Sequence, residues 1–327
     1  MTVQQAINSQ GYAITFAYNF STAPSVYFPT RAKSTPISQT TAMFGTAVQS
    51  VEYVVDISGA SGLTGGQLQI VGQYPTATLG TYQELSIPQQ VCVTSGGGTP
   101  AVVNDNTASA AAIINGQSQN CNGITAITAN GRFVLKALFP SALGCRLKFT
   151  GTAGTATLTV RSTIIQDEGL ILIPQLQPIS FSLGTASTTS FVAKPLTASK
   201  HNSSVVQYEA IIAVTSVGSF TGSAINLAKN YPSATNLSSD TLTAIPAYYN
   251  NFSGTAPNII HANTASGAMI ANGLARSATG ATAVNATTGL RIFSPYPTGD
   301  FGVAITTGTG SGAFTGTVNQ YMIVNAS

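Results

Sequence analysis

Residues 106–116 read NTASAAAIING and residues 263–273 read NTASGAMIANG, so eight of the eleven positions are identical. The two stretches start 157 residues apart (106 and 263), and the same shift places residues 74–78 (YPTAT) on residues 231–235 (YPSAT). It also places Phe139-Pro140 on Tyr296-Pro297. One shift that holds over so long a stretch predicts two tandem copies of a single structural unit.

The duplication divides the chain of 327 residues into an N-terminal unit (1–166), a joint (167–178) and a C-terminal unit (179–327). The joint lies within Ile165 to Pro178, which reads IQDEGLILIPQLQP. It contains the neighbouring carboxylates Asp167 and Glu168, which we interpret as part of a solvated linker.

Short β-strands are predicted throughout both units. Tyr12, Ile14, Phe16 and Tyr18 alternate with smaller residues, which is the period of two that a half-buried strand requires. Similar runs recur at 51–57, 67–72, 132–138, 145–149, 156–164, 205–214, 224–228, 290–293, 302–305 and 320–324. Each unit is therefore predicted to be all-β, an antiparallel sandwich or barrel of about eight strands.

One segment in each copy departs from the strand pattern. Thr107 to Asn115 is rich in alanine, with Asn106 or Thr107 placed to cap a helix and Gly116 placed to end it. Thr264 to Asn272, followed by Gly273, repeats this arrangement. The sequence thus predicts one short α-helix in each sandwich.

Charged side chains are scarce. They make up 6% of the chain, against a norm of about 25%. The 12 Lys and Arg residues are scattered, so no basic footprint for nucleic acid is predicted. A surface with so little charge loses the repulsion that keeps proteins apart, which favours a surface covered by neighbouring subunits.

Targeting and membrane signals are not predicted either. Residues 1–11 (MTVQQAINSQG) lack a basic region followed by an apolar run, so we expect no secretory peptide. The apolar run Gly169 to Pro174 is far shorter than the roughly 20 residues that a membrane span needs. Cys92, Cys121 and Cys145 show no zinc-binding spacing and are interpreted as free, buried thiols.

No catalytic, cofactor-binding or metal-binding residue is predicted, and the chain is not expected to be an enzyme. His201 and His261 lie in no metal-ligand spacing, and His261 corresponds to Asn104 in the other copy. No nucleophile elbow, phosphate loop or dinucleotide motif occurs. A glycan hydrolase with acidic residues at the contact between the units, Asp167 among them, is the weakest hypothesis.

Carbohydrate binding is the main alternative, because it requires aromatic rings and amides rather than tuned acids and bases. Residues 248–252, which read YYNNF, form such a cluster. A two-domain carbohydrate-binding or adhesin module of a phage fibre or cell surface would use this run. A buried strand end accounts for the same pattern.

Two fused sandwiches, each with a short helix at 107–115 or 264–272, resemble the double jelly-roll major capsid proteins of tailless icosahedral bacteriophages, many of which contain a membrane. In that family the helix lies between the sixth and seventh strands of each jelly roll. The resemblance covers nearly the whole chain and is architectural, and the identity between the two copies is higher than the family usually keeps.

The resemblance implies a structural protein of the virion. Three copies would form a homotrimer, a pseudo-hexameric capsomer that tiles an icosahedral shell assembled in the host cytoplasm. The expected partners are the chain itself, neighbouring capsomers, minor capsid or vertex proteins and an internal membrane, with no specific nucleic-acid site and no cofactor.

Overall fold

The structure is a computed structural model that describes eleven segments of the chain. These are residues 13–28, 45–75, 82–103, 110–111, 117–138, 145–174, 178–194, 205–232, 240–259, 275–297 and 301–325. Their regular structure is entirely β, which confirms the predicted all-β class. The strands form a 17-stranded sheet and a separate six-stranded sheet.

The first eleven strands are named here. They are β1 (Ile14–Asn19), β2 (Ser25–Phe28), β3 (Gly45–Thr64), β4 (Gly66–Pro75), β5 (Tyr82–Ser86), β6 (Gln89–Val103), β7 (Ala110–Ala111), β8 (Gln117–Asn120), β9 (Ile124–Leu138), β10 (Cys145–Thr150) and β11 (Ala153–Pro174).

The remaining twelve strands follow. They are β12 (Ile179–Leu183), β13 (Thr189–Ala193), β14 (Val205–Ser216), β15 (Ala224–Pro232), β16 (Asp240–Ala244), β17 (Ala247–Gly254), β18 (Asn258–Ile259), β19 (Ala275–Ser277), β20 (Ala281–Thr282), β21 (Thr288–Pro295), β22 (Phe301–Thr306) and β23 (Phe314–Asn325).

The strands form where the sequence alternates between apolar and polar residues. In β10, Cys145, Leu147 and Phe149 are buried, whereas Arg146 and Lys148 face outward. Successive side chains of a strand point to opposite faces, so this alternation supplies one core-facing row and one solvent-facing row.

In the N-terminal half, β1 to β11, one layer has the strand order β1, β11, β3, β9, β6, β8. A second layer has the order β2, β10, β4, β5. Pairing between β4 and β9 connects the two layers, which makes the sheet barrel-like. All of these pairings are antiparallel.

The C-terminal half, β12 to β23, has a layer with the order β12, β23, β14, β21, β17, β19. Its second layer has the order β13, β22, β15, β16, and β20 adds to β15. Each strand pairing within the two N-terminal layers has a counterpart at the same place in the strand order of the two C-terminal layers.

Backbone conformation recurs with the same spacing. Ala126 and Ala283 are 157 residues apart, and each has a φ of 53° in the left-handed region. Gly123 and Gly280, also 157 residues apart, have φ values of 73° and 83°. The left-handed region is uncommon for alanine, so its recurrence marks equivalent turns in the two halves.

Strand β11 joins the two halves. It pairs with β3 from Ala153 to Leu172, with register shifts on either side of Gln166, and its last residues, Leu170 to Pro174, pair with β23. The part of the predicted joint that the structure describes up to Pro174, including Asp167 and Glu168, belongs to this strand. Ile171 and Leu172 have partners in both β3 and β23, so the end of β11 lies between strands of the two halves.

The first predicted helix is corrected at its two described residues. Ala110 and Ala111 form β7 and pair with Val103 and Val102 of β6. The remainder of Thr107 to Asn115, and the whole of Thr264 to Asn272, lie outside the described residues. Partner strands can override a weak local preference for helix, because pairing and packing contribute more than intrinsic propensity.

Each half has its own apolar core, and one layer of the C-terminal half faces both. Tyr208, Ala210 and Ile212 of β14 pack in the C-terminal core, whereas Ile211 on the opposite face of β14 packs in the N-terminal core. Strand β14 is therefore buried without alternation over its first eight residues, as expected for a strand covered on both faces.

Within the described residues, no helix has the length and apolarity needed to cross a membrane. Cys121 and Cys145 are buried free thiols, as predicted, and Cys92 is a free thiol of intermediate exposure.

Candidate functional site between the two halves

A buried ion pair lies at the contact between the halves. Arg291 Nε is 2.7 Å from Glu209 Oε1, and both side chains are 1% exposed. The two residues come from neighbouring strands of the C-terminal half. Glu209 of β14 is paired in register with Phe293, and Arg291 of β21 with Ile211, so the charged side chains are diagonal neighbours on one face.

Residues of the N-terminal half complete this cluster. The Tyr74 hydroxyl donates to Glu209 Oε2 at 3.4 Å, and Arg291 Nη1 donates a short hydrogen bond to the Ser86 carbonyl. The Tyr74 and Tyr321 rings meet edge to face, with centroids 5.1 Å apart. We call Tyr74, Ser86, Cys121, Glu209, Arg291 and Tyr321 the inter-half cluster.

Burial dominates the electrostatics of the cluster. It raises the pKa of Glu209, and the neighbouring charge of Arg291 opposes that shift. Burial also raises the pKa of Tyr74 and Tyr321 well above the ordinary tyrosine range. The pKa of Cys121 is raised to about 11, chiefly by burial, and the nearby charge of Arg291 opposes that shift.

These properties suit a structural contact. A thiol becomes nucleophilic through a lowered pKa, and Cys121 has the opposite shift. At 1% exposure the ion pair also has no access to a substrate. Buried ion pairs contribute little net stability compared with apolar packing, but losing one partner is strongly destabilising, so such a pair favours one mutual arrangement of the halves.

A cavity of about 180 Å³ lies beside the cluster. Glu84, Leu85, Ser86, Cys121 and Asn122 line it from the N-terminal half, and Asn250 and Phe252 line it from the C-terminal half. At this volume it is smaller than the usual range for ligand pockets.

Glu84, on the wall of that cavity, is held by two cations. Its carboxylate accepts from Lys148 Nζ at 2.6 Å and from Arg146 Nη2 at 2.8 Å. The Arg146 guanidinium also lies 3.7 Å from the centroid of the Tyr27 ring. Burial alone would raise the pKa of Glu84, but the hydrogen bonds from Lys148 and Arg146 outweigh it and lower the pKa.

A second opening of about 320 Å³ also lies between the halves, and we call it the inter-half groove. It is lined by Pro88, Gln89, Gln90, Gln119, Lys136 and Leu138 from the N-terminal half and by Gln207, Tyr248, Phe293, Pro295 and Tyr296 from the C-terminal half.

The groove has an exposed apolar rim. Leu138 is 45% exposed and Tyr296 is 65% exposed, and these two are the exposed large hydrophobic residues of the described part of the chain. Tyr296 has a φ of 49°, and its backbone N–H donates to the Val206 carbonyl at 2.9 Å. A left-handed tyrosine is costly, and such strain is concentrated at functional positions.

The predicted aromatic and amide run on β17 is mostly buried, and its burial does not alternate along the strand. Tyr249, Asn250 and Asn251 are buried, and the Tyr249 hydroxyl accepts a hydrogen bond from the Leu227 N–H. Tyr248 reaches the inter-half groove and Phe252 reaches the smaller cavity. The five residues therefore do not form one exposed surface.

The other sequence candidates do not assemble into a site. His201 and His261 lie outside the described residues. Asp167 and Glu168 lie within β11, and their side chains are also outside the description. No group of three His, Cys, Asp or Glu side chains that could hold a metal ion occurs in the described segments.

The sequence interpretation did not find the inter-half cluster. The sequence feature that points to this cluster is an isolated charged residue within an apolar run. It occurs twice, as Glu209 in VVQYEAIIAV (205–214) and as Arg291 in GLRIF (289–293). A charge at such a position is almost never fully buried unless it is paired, so each residue predicts a partner without identifying it.

Comparison of the chain with models of known protein families, with curated proteins and with solved structures gave no match.

Proposed function

We propose that this chain is a structural capsid protein, built from two tandem jelly rolls that arose by duplication, and that three copies form a pseudo-hexameric capsomer of an icosahedral virion. The observation that carries the proposal is the recurrence of one pairing order in both halves. The sequence repeats with a spacing of 157 residues, and Ala126 and Ala283, which are related by that spacing, have the same φ. Both observations support duplication as the origin of the two halves.

The contact between the halves supports a building-block role. Strand β11 is hydrogen-bonded to both halves, and the buried pair Glu209–Arg291 meets Tyr74 and Ser86 across the contact. A shell subunit must keep its binding faces in a fixed relative position, because small rotations of one face accumulate over a closed assembly. Two halves joined in this way meet that requirement.

The outward charges support association between copies. Asp56 accepts from Arg132 at 2.6 Å and from Arg161 at 2.8 Å, so the outer face of the N-terminal half carries a compact charge cluster instead of separate like charges. Together with the 6% of charged residues, this leaves little long-range repulsion between identical faces.

The proposal includes the partners and the location that the resemblance implies. The chain would contact itself in a homotrimer, then neighbouring capsomers, minor capsid or vertex proteins and an internal membrane. It would act in the capsid shell of the virion, after assembly in the host cytoplasm, with no enzymatic activity and no nucleic-acid site of its own.

The experiment is a measurement of assembly. The purified chain is examined by sedimentation velocity over a wide concentration range and by negative-stain electron microscopy, with circular dichroism to establish that it is folded β structure. We expect trimers, or larger hexagonal or icosahedral particles. A folded chain that stays monomeric at the highest concentration contradicts the proposal.

The alternative is a two-domain carbohydrate-binding or adhesin module, and it was based on an exposed run of aromatic and amide side chains at 248–252. Three residues of the run 248–252 are buried, with exposures of 1% for Tyr249, 3% for Asn250 and 7% for Asn251. Buried amides and rings that pack within the protein are not accessible to a glycan. The proposal of a capsid protein is therefore preferred.

A further inference from the structure

The inter-half groove is lined by two different kinds of surface. One wall is apolar and belongs largely to the C-terminal half, where Tyr248 and Phe293 are paired in register and their ring centroids are 5.7 Å apart. Tyr296 and Leu138 extend this wall to the surface. Aromatic and aliphatic walls of this kind bind the apolar part of a ligand.

The opposite edge is polar and belongs to the N-terminal half. Gln119 of β8, Gln90 of β6 and Lys136 of β9 are consecutive partners across three strands, so their side chains form one row. Within the described part of the chain, neither the Gln90 amide nor the Gln119 amide makes a side-chain hydrogen bond. Both amides therefore have donors that a ligand could use.

Charge selects among ligands. Lys136 is the one charged residue among those that line the groove. Glu52 of β3 lies opposite Lys136 in register but does not line the groove, and Arg276 of β19 lies opposite Tyr248. The charge that a ligand inside the groove would meet is therefore the positive charge of Lys136, which complements an anion.

We propose that the inter-half groove binds a free amphipathic carboxylate, a molecule with one carboxylate and an apolar chain or ring. The carboxylate accepts from the Lys136 ammonium and from the Gln90 and Gln119 amides, while the apolar part lies against Tyr248, Phe293 and Tyr296. The volume of about 320 Å³ falls within the range of small-molecule pockets, which begins near roughly 300 Å³. This binding site goes beyond the structural role and does not depend on it.

The test is an NMR titration of the full chain, labelled at leucine methyl groups and tyrosine rings, with octanoate as the probe. We expect saturable shifts of Leu138, Tyr248 and Tyr296. Acetate, which lacks the apolar chain, should cause none of them. 1-Octanol, which lacks the charge, should bind on the order of tenfold more weakly, because its hydroxyl cannot accept the stronger hydrogen bonds that a carboxylate accepts.

Two variants test the two surfaces separately. Lys136→Gln should weaken octanoate binding on the order of tenfold and leave 1-octanol binding unchanged. Arg132→Gln is the matched control, because it removes a positive charge from the same strand outside the groove. Tyr296→Gly, which suits the left-handed backbone at this position, should weaken the binding of both octanoate and 1-octanol.

Several outcomes overturn the proposal. One is a lack of saturable shifts with octanoate, and another is equal octanoate binding by the Lys136→Gln and Arg132→Gln variants. Saturable binding of glucuronate without a response to octanoate would assign the groove to saccharides. A change in sedimentation of the Tyr296→Gly variant with no effect on octanoate binding would assign it to a contact between copies.

Discussion

Ala126 and Ala283 hold the same left-handed backbone conformation, each with a φ of 53°, at positions 157 residues apart. We expect Ala126→Gly and Ala283→Gly each to stabilise the protein by about 0.5–1 kcal/mol. Relief of left-handed strain is worth roughly 1–2 kcal/mol, and the greater freedom of glycine in the unfolded chain offsets about 0.4–1 kcal/mol of it. Urea unfolding monitored by circular dichroism measures the difference.

The matched control for this prediction is Ala129→Gly in the same strand, β9, where the φ angle is not left-handed. Glycine within a strand is expected to destabilise this position by about 0.5–1 kcal/mol. Equal losses of stability at 126 and 129 would contradict the strain argument.

Removal of one member of the Glu209–Arg291 pair is expected to be far more harmful than removal of both. Arg291→Met leaves the Glu209 carboxylate buried without its cation, and Glu209→Met leaves the Arg291 guanidinium without its anion. Each single variant should lose about 3–5 kcal/mol of the free energy of unfolding, whereas the double variant should be more stable than either. Equilibrium urea unfolding of the four proteins measures the coupling, and additive losses would contradict it.

Glu84 is expected to stabilise the folded protein only while its carboxylate is ionised. Its pKa in the folded protein lies below the ordinary value of 4.5, so the folded protein binds this proton less tightly than the unfolded chain does. The stabilisation is complete above pH 4.5 and is lost as the pH falls through the lowered folded value. The stability of Glu84→Gln should therefore depend less on pH below that point, as thermal unfolding across a pH series would show.

Glu209 should have the opposite pH dependence. Burial raises its pKa in the folded protein, so the folded state binds the proton more tightly than the unfolded chain does. The free energy of unfolding of the wild type, relative to that of Glu209→Gln, should increase as the pH falls from neutral through the raised pKa of the folded protein. It should decrease again when the pH is raised through that pKa. The same pH series measures this difference, and a difference that is constant with pH would show that Glu209 does not titrate in this way.

Much of the fold could be predicted from the sequence. The alternation in Tyr12 to Tyr18 and in Cys145 to Phe149 predicts strands that the structure contains as β1 and β10. Period-two alternation is a local property, since one strand needs only one apolar face to find a core. The Ala-rich segment at 107–115 led to a wrong prediction at Ala110 and Ala111, because pairing with β6 depends on residues that a local pattern does not contain.

The candidate site was much less predictable. Among the residues of YYNNF (248–252), only Tyr248 reaches the inter-half groove, although the sequence treats all five as one cluster. Lys136, Gln90 and Gln119 lie in three separate strands, and only the register of β8, β6 and β9 places them in one row. Register is set by which faces find the core, and that depends on the packing of the whole sheet.

The sequence by itself determined the all-β class, the positions of most strands and the repeat with its spacing of 157 residues, because these follow from periodicity and identity along the chain. Only the tertiary structure decided that Glu209 and Arg291 meet, that Tyr74 contacts Glu209 from the other half, and that β11 extends into the predicted joint as far as Pro174. The physical reason is that these contacts connect strands distant in sequence. Their partners are selected by burial on both faces of β14, which no local stretch of sequence specifies.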